Sequence, residues 1–140
     1  MKRILFLLLL TLSVTANAQV ATKDDVYSSA SVDVHPEYPG GVPAFYAYVN
    51  KNFKMPDIDK DMVAKIYISF VVERDGSISS VKIIKDPGYG LGAEAVRVIR
   101  SNTEKWTPGM QNGKAVRAQY NLPIIINIKG DPVKPSVKTE

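Results

Sequence analysis

From Val116 to Ile128 the chain alternates like a β-strand, yet Pro123 sits in the middle of the run. Val116, Ala118, Tyr120, Leu122, Ile124, Ile126 and Ile128 share one apolar face, while Arg117, Gln119, Asn121, Pro123, Ile125 and Asn127 share the other. Proline has no backbone N–H, so within a sheet it belongs on an edge strand with its nitrogen turned outward. Fully extended, the segment runs about 43 Å at about 3.3 Å per residue. The fold has to place a long strand at the margin of a sheet.

The preceding residues supply the rest of that sheet. In KIYISFVVERDGSISSVKIIK, Ile66, Ile68, Phe70 and Val72 alternate with Tyr67, Ser69, Val71 and Glu73, and Val81 and Ile83 continue the apolar face after a turn. Asp75-Gly76 marks that turn as a hairpin, since both residues tolerate positive φ. LGAEAVRVIRSN sets Leu91, Ala95, Val98 and Ile99 on one helical side and Glu94, Arg97 and Arg100 on the other. Upstream, Pro39-Gly40-Gly41 stops the chain and Pro43 suits a first helical turn. Phe45, Tyr48, Val49 and Phe53 then recur at helical spacing.

The order helix, strand, strand, helix, strand is α+β. The second helix is a crossover, so the second and third strands should run parallel on either side of the first. The expected architecture is a three-stranded mixed sheet of order 2-1-3 backed by two helices, with the third strand at an edge. The first strand, Lys65 to Glu73, is shorter than the third, which should leave backbone groups open on both sides of the excess or bend the strand at Pro123. An open edge is a template for another chain. The edge residues Arg117, Gln119, Asn121, Pro123, Ile125 and Asn127 are thus the candidate contacts for an extended peptide.

The ends of the chain bear on location. Lys2 and Arg3 precede an apolar run beginning at Ile4, and Ala16-Asn17-Ala18 supplies the small-x-small pattern of a signal-peptidase site. The run is about 16 Å long as a helix, against about 30 Å for a bilayer core. The reading is a signal peptide over 1–18 and a periplasmic product, with an inner-membrane anchor as the alternative. Residues 19–34, short of large apolar side chains, read as a flexible leader, 35–129 as the folded domain, and 130–140 as a flexible tail. The 140-residue chain has no cysteine, which excludes disulfides and a lipid-modified cysteine. Its formal net charge of +4 falls to about +2 once Lys2 and Arg3 are removed, a mild excess that gives no nucleic-acid footprint.

Chemistry-bearing motifs are sparse. Gly88-Tyr89-Gly90-Leu91-Gly92-Ala93 matches G-x-G-x-x-A between a strand and a helix, but no acidic residue ends a following strand about twenty residues on, as a dinucleotide site requires. His35 is the only histidine, so triads and histidine metal clusters lack partners. Asp57, Asp59 and Asp61 lack the glycine and terminal glutamate of a calcium loop. Lys82, Lys85, Arg97, Arg100, Lys114 and Arg117 read as a solvated basic side. The expectation is no catalytic residue, no metal and no cofactor.

PEYPGG with its following helix, SFVVERDGSI, AVRVIRS, and W-x-P-G-x-x-N-G-x-x-V from Trp106 to Val116 together resemble the C-terminal domain of TonB energy transducers. The resemblance implies a non-enzymatic fold of three strands and two helices. Its last strand captures the TonB box, an extended segment of an outer-membrane transporter, by strand addition. It also implies that Trp106 is a core anchor, with Pro108-Gly109 and Asn112-Gly113 turning the chain into the edge strand. A homodimer through the third strand is the alternative partner. The cleavable N-terminal segment and the short span before Pro36 depart from a membrane-anchored transducer with a long spacer, which favours a stand-alone module. Processing after Ala18 predicts a mature chain beginning at Gln19; intact mass of periplasmic material should show loss of the first 18 residues.

Overall fold

The computed structural model describes residues 25–130. The signal-peptide reading of 1–18, most of the leader and the tail beyond Gly130 lie outside the described residues. Within them the elements are β1 (Val26–Ser28), a 3-10 turn (Ser29–Ser31), α1 (Gly41–Asn52), β2 (Met62–Val72), β3 (Ile78–Lys85), α2 (Leu91–Arg100), β4 (Gly109–Gln111) and β5 (Lys114–Ile128). The sheet order is β1-β5-β2-β3, with β4 also paired to β5. The expected 2-1-3 arrangement is present as β3-β2-β5, with β2 antiparallel to both neighbours.

The apolar faces read from the sequence form one core. Ile66, Ile68, Phe70 and Val72 of β2 meet Leu122, Ile124 and Ile128 of β5 beneath Phe45 and Val49 of α1 and Leu91, Ala95, Val98 and Ile99 of α2. Trp106 is its aromatic centre. The indole is 3 % exposed and lies 5.0–5.5 Å, ring centroid to centroid, from Tyr38, Phe45, Phe70 and Tyr120, each in an edge-to-face arrangement. Its Nε1–H is buried without a hydrogen-bond partner among the described residues, so packing holds the ring in place.

The β2–β3 turn differs from expectation. Glu73 and Ser77 close it, with Glu73 N donating to Ser77 O at 2.8 Å, and only Gly76 (φ +80°) has positive φ. This is a three-residue loop with glycine in the left-handed position, not a two-residue turn. Gly76 also packs against Trp106: an added Cβ would stand 2.1 Å from the Trp106 carbonyl oxygen, while Trp106 N donates to Gly76 O at 2.9 Å. Glycine is required there for both its φ and its lack of a side chain. The two-residue turn occurs instead at Asn112 (φ +50°) and Gly113 (φ +72°), between β4 and β5.

Two further expectations are corrected. Pro108-Gly109 is not a turn: Gly109 begins β4, buried where a Cβ would come 3.2 Å from that of Ala118. The excess length of the last strand is not left open on both sides either. All eleven residues of β2 pair with β5, β4 pairs with Lys114–Val116, and β1 runs parallel along Arg117–Gln119. Part of the segment expected to be a leader outside the folded unit therefore joins the sheet. Val34 and Met110 extend the attachment by exchanging backbone hydrogen bonds of 3.1 and 2.9 Å. Three residues of modest apolarity give no periodicity of their own; β1 forms because β5 offers it unpaired backbone groups.

Replacing the indole by a methyl group removes the shared neighbour of four aromatic rings. Trp106→Ala is expected to cost about 3–5 kcal/mol of folding stability, measured by denaturant unfolding.

Candidate functional site

Successive residues of a strand turn their backbone N–H and C=O alternately toward its two neighbours. Leu122, Ile124, Ile126 and Ile128 stand opposite Ile68, Ile66, Ala64 and Met62 of β2. Pro123, opposite Tyr67, has no N–H to give and occupies an outward position, so Asn121, Ile125 and Asn127 face outward with it. β1 covers the outer edge only at Arg117–Gln119, and no described strand pairs with it from Asn121 to Asn127. The Pro123 carbonyl is not vacant: the Tyr46 hydroxyl of α1 donates to it at 2.7 Å.

This open stretch lies between two clefts. One, of about 530 Å³, is bordered by Ser29, His35, Glu37, Val42, Tyr120 and Asn121; the other, of about 510 Å³, by Asp61, Met62, Val63, Asn127 and Lys129. Between them Ile125 is 60 % exposed, an aliphatic side chain with no cover on the solvent face. Along the open stretch itself, from Asn121 to Asn127, the available chemistry is backbone hydrogen bonding and apolar contact.

The six residues expected along this edge divide into two groups. Asn121, Pro123, Ile125 and Asn127 share the open stretch. Arg117 and Gln119 lie where β1 already holds the outer edge, which corrects the expectation that the whole strand margin is open. The Arg117 side chain is committed as well, donating from Nε at 2.8 Å and Nη2 at 3.0 Å to the Glu73 carboxylate. Those hydrogen bonds, joined by one from Ser79 and opposed by partial burial, hold the Glu73 carboxyl below its ordinary pKa of 4.5. Gln119 turns its amide toward Asn121 Oδ1 at 3.5 Å. Tyr46 was missed because at i, i+1 to Phe45 it reads as one more helix aromatic, and no local pattern points it at a strand residue 77 positions downstream.

The glycine run before α2 has an internal occupant. Asp86 Oδ1 accepts from the N–H groups of Gly88 (2.9 Å) and Gly92 (3.2 Å), and an added Cβ on Gly92 would lie 2.3 Å from Asp86 Oδ2. A carboxylate of the chain itself thus fills the helix N-terminus that a phosphate would need. Asp61 is likewise engaged, accepting from Lys129 Nζ at 3.1 Å and Gly130 N at 2.9 Å. Among the described residues no group of three or more His, Cys, Asp or Glu is placed to hold a metal ion.

A family model described as the Gram-negative bacterial TonB protein C-terminal matches residues 58–128. The chain belongs to the TonB C-terminal family. That family serves TonB-type transport at the cell envelope, where its members engage outer-membrane transporters, and it is not a family of enzymes. The matched span runs from just before β2 to the end of β5, so β1 and α1, which border the open edge, lie outside it. Among solved structures, the chain is similar to an NMR solution structure of the Helicobacter pylori TonB-CTD, at 16 % identity and a TM-score of 0.45 over 61 % of this chain and 78 % of that one. No curated protein matches. Among the described residues no helix of this TonB C-terminal domain is long and apolar enough to cross a membrane.

Two ion pairs beside the core give the domain an acid limit. Hydrogen bonds from Arg97, and to a lesser degree from the Lys54 N–H, hold Glu94 down to about 2, and Glu73 is lowered by Arg117. Both carboxylates have folded-state pKa values below their unfolded ones. Their contribution is therefore complete above about pH 4.5 and lost as pH falls through the folded values. Urea midpoints should decline between about pH 4.5 and pH 2, and Glu94→Gln should flatten part of that decline.

Proposed function

We propose that this domain is a periplasmic, non-enzymatic peptide-binding module that takes up a TonB-box-like segment of an outer-membrane transporter by strand addition along the outer edge of β5. The observation that carries the reading is the open stretch itself. Asn121, Ile125 and Asn127 present outward N–H and C=O groups with no described strand beside them, on a strand pinned along its other side by β2. A rigid strand with one bare edge supplies the hydrogen-bonding half of an added strand at no cost in ordering its own backbone.

The energetics favour weak, reversible capture. Each new backbone hydrogen bond contributes about 0.5–1.5 kcal/mol net, while the peptide gives up about 1–2 kcal/mol of backbone freedom per residue ordered. Affinity of about micromolar strength or weaker follows, with side-chain contact at Ile125 and the two clefts providing the remainder. Arg117 drops out of the contact set because Glu73 holds it and β1 covers its edge.

Backbone direction gives a test that side-chain scanning does not. Asn127→Pro removes an outward N–H and should leave the fold intact while weakening binding of transporter-derived TonB-box peptides. Ile126→Pro removes an N–H directed at β2 opposite Ala64 and should damage the sheet itself. Amide shifts on titration should map to Asn121–Asn127. Shifts confined to Gly88–Ala93, or saturable self-association through β5 with no response to peptide, would overturn the reading in favour of a different site or a structural homodimer.

A further inference from the structure

The open edge is interrupted at its centre, and the interruption has two parts. Position 123 should offer an incoming strand one donor and one acceptor, as Ile125 and Asn127 each do. The donor is absent because the residue is proline, and the acceptor is occupied because Tyr46 Oη donates to the Pro123 carbonyl at 2.7 Å. Proline removes the donor outright, and the tyrosyl hydroxyl takes one of the two lone pairs of the acceptor and the space beside it. Tyr46 reaches this carbonyl from α1, beside Phe45, which packs into the core. Partial burial, reinforced by nearby Tyr120, raises the Tyr46 pKa above 10.0, so the hydroxyl keeps its proton and remains a donor across the physiological range.

We propose that Tyr46 and Pro123 form a gate at the middle of the binding edge, and that Tyr46 sets the affinity and length of the strand the domain accepts. The inference rests on the edge-capture reading and adds to it a residue outside the family-matched span. With the gate closed, contiguous pairing is confined to Ile125 and Asn127 on one side and Asn121 on the other. A partner long enough to span both must displace the tyrosyl hydroxyl from Pro123 O with one of its own N–H groups, or share that oxygen with it. The domain therefore discriminates against short or mismatched strands, a second copy of β5 included, and admits a longer segment whose flanking contacts offset the exchange. Such blunting of an exposed edge limits promiscuous pairing without closing the edge to the intended chain.

The test compares the wild-type domain with Tyr46→Phe, which keeps the ring and frees the carbonyl, and with Pro123→Ala, which restores the N–H. Seven-residue TonB-box peptides of transporters are the probes, read by calorimetry, with sedimentation as a second readout. Each variant is expected to bind about two- to tenfold tighter than wild type, the worth of one additional hydrogen bond. The double variant is expected to self-associate at concentrations where the wild type is monomeric. Should Tyr46→Phe bind no better than the binding wild type, with the double variant monomeric, the gate is overturned while edge capture stands. Should no chain bind peptide and the double variant stay monomeric, the edge-capture reading fails and the gate with it.

Discussion

The packing of Trp106 against four aromatic rings is the contact through which the fold is assembled. Tyr38 comes from the segment before α1, Phe45 from α1, Phe70 from β2 and Tyr120 from β5, so one side chain joins elements spread over most of the described residues. The Trp106 backbone adds a fifth, because its N–H and carbonyl rest against the Gly76 turn between β2 and β3. Offset edge-to-face geometry gives these contacts orientation as well as area, and through Phe45 it ties α1 to the sheet. Tyr46 follows Phe45 directly in α1. The helix seated on the core by Phe45 thus contributes one hydroxyl, that of Tyr46, to the outer edge of β5.

β5 is the spine of the sheet and, in the proposed function, its interface. Along one side its residues Ala118–Ile128 pair with all eleven residues of β2, which holds the strand in register. The outer side is graded. β1 holds the Arg117–Gln119 stretch, Pro123 lacks an N–H and its carbonyl accepts from Tyr46, and no described strand lies beside Ile125 and Asn127. An unprotected edge of this length would be an aggregation hazard, while a fully covered one could bind nothing. Pro123 and Tyr46 reduce hydrogen-bonding capacity on the outer side, while Pro123 keeps its place opposite Tyr67 in the ladder with β2.

Charged groups act mainly as clamps. Glu94 bonds Arg97 and the Lys54 N–H while Arg97 reaches the Asn52 carbonyl, tying the end of α1 to α2. Arg117 and Glu73 join β5 to the β2–β3 hairpin. Two of the six residues that read as a basic surface are thereby spoken for, and the weak positive excess of the sequence does not converge on one binding patch.

The sequence by itself determined the α+β class, the order of the three principal strands, the apolar faces of both helices and the outward position of Pro123. Each follows from short-range periodicity or from the chemistry of a single residue: alternation of period two, helical spacing, a missing N–H. The buried role of Trp106 and the Asn112-Gly113 turn were legible from the motif that contains them. Tertiary structure alone decided that residues 26–28 return to cover part of the edge and that Tyr46 caps Pro123. It also decided that Arg117 is held by Glu73, and that the Gly76 turn has three residues instead of two. These depend on which backbone and side-chain groups remain unsatisfied after the core has packed, and on partners 44 to about 90 positions apart. Local sequence carries no record of such distances; only the packed sheet brings them together.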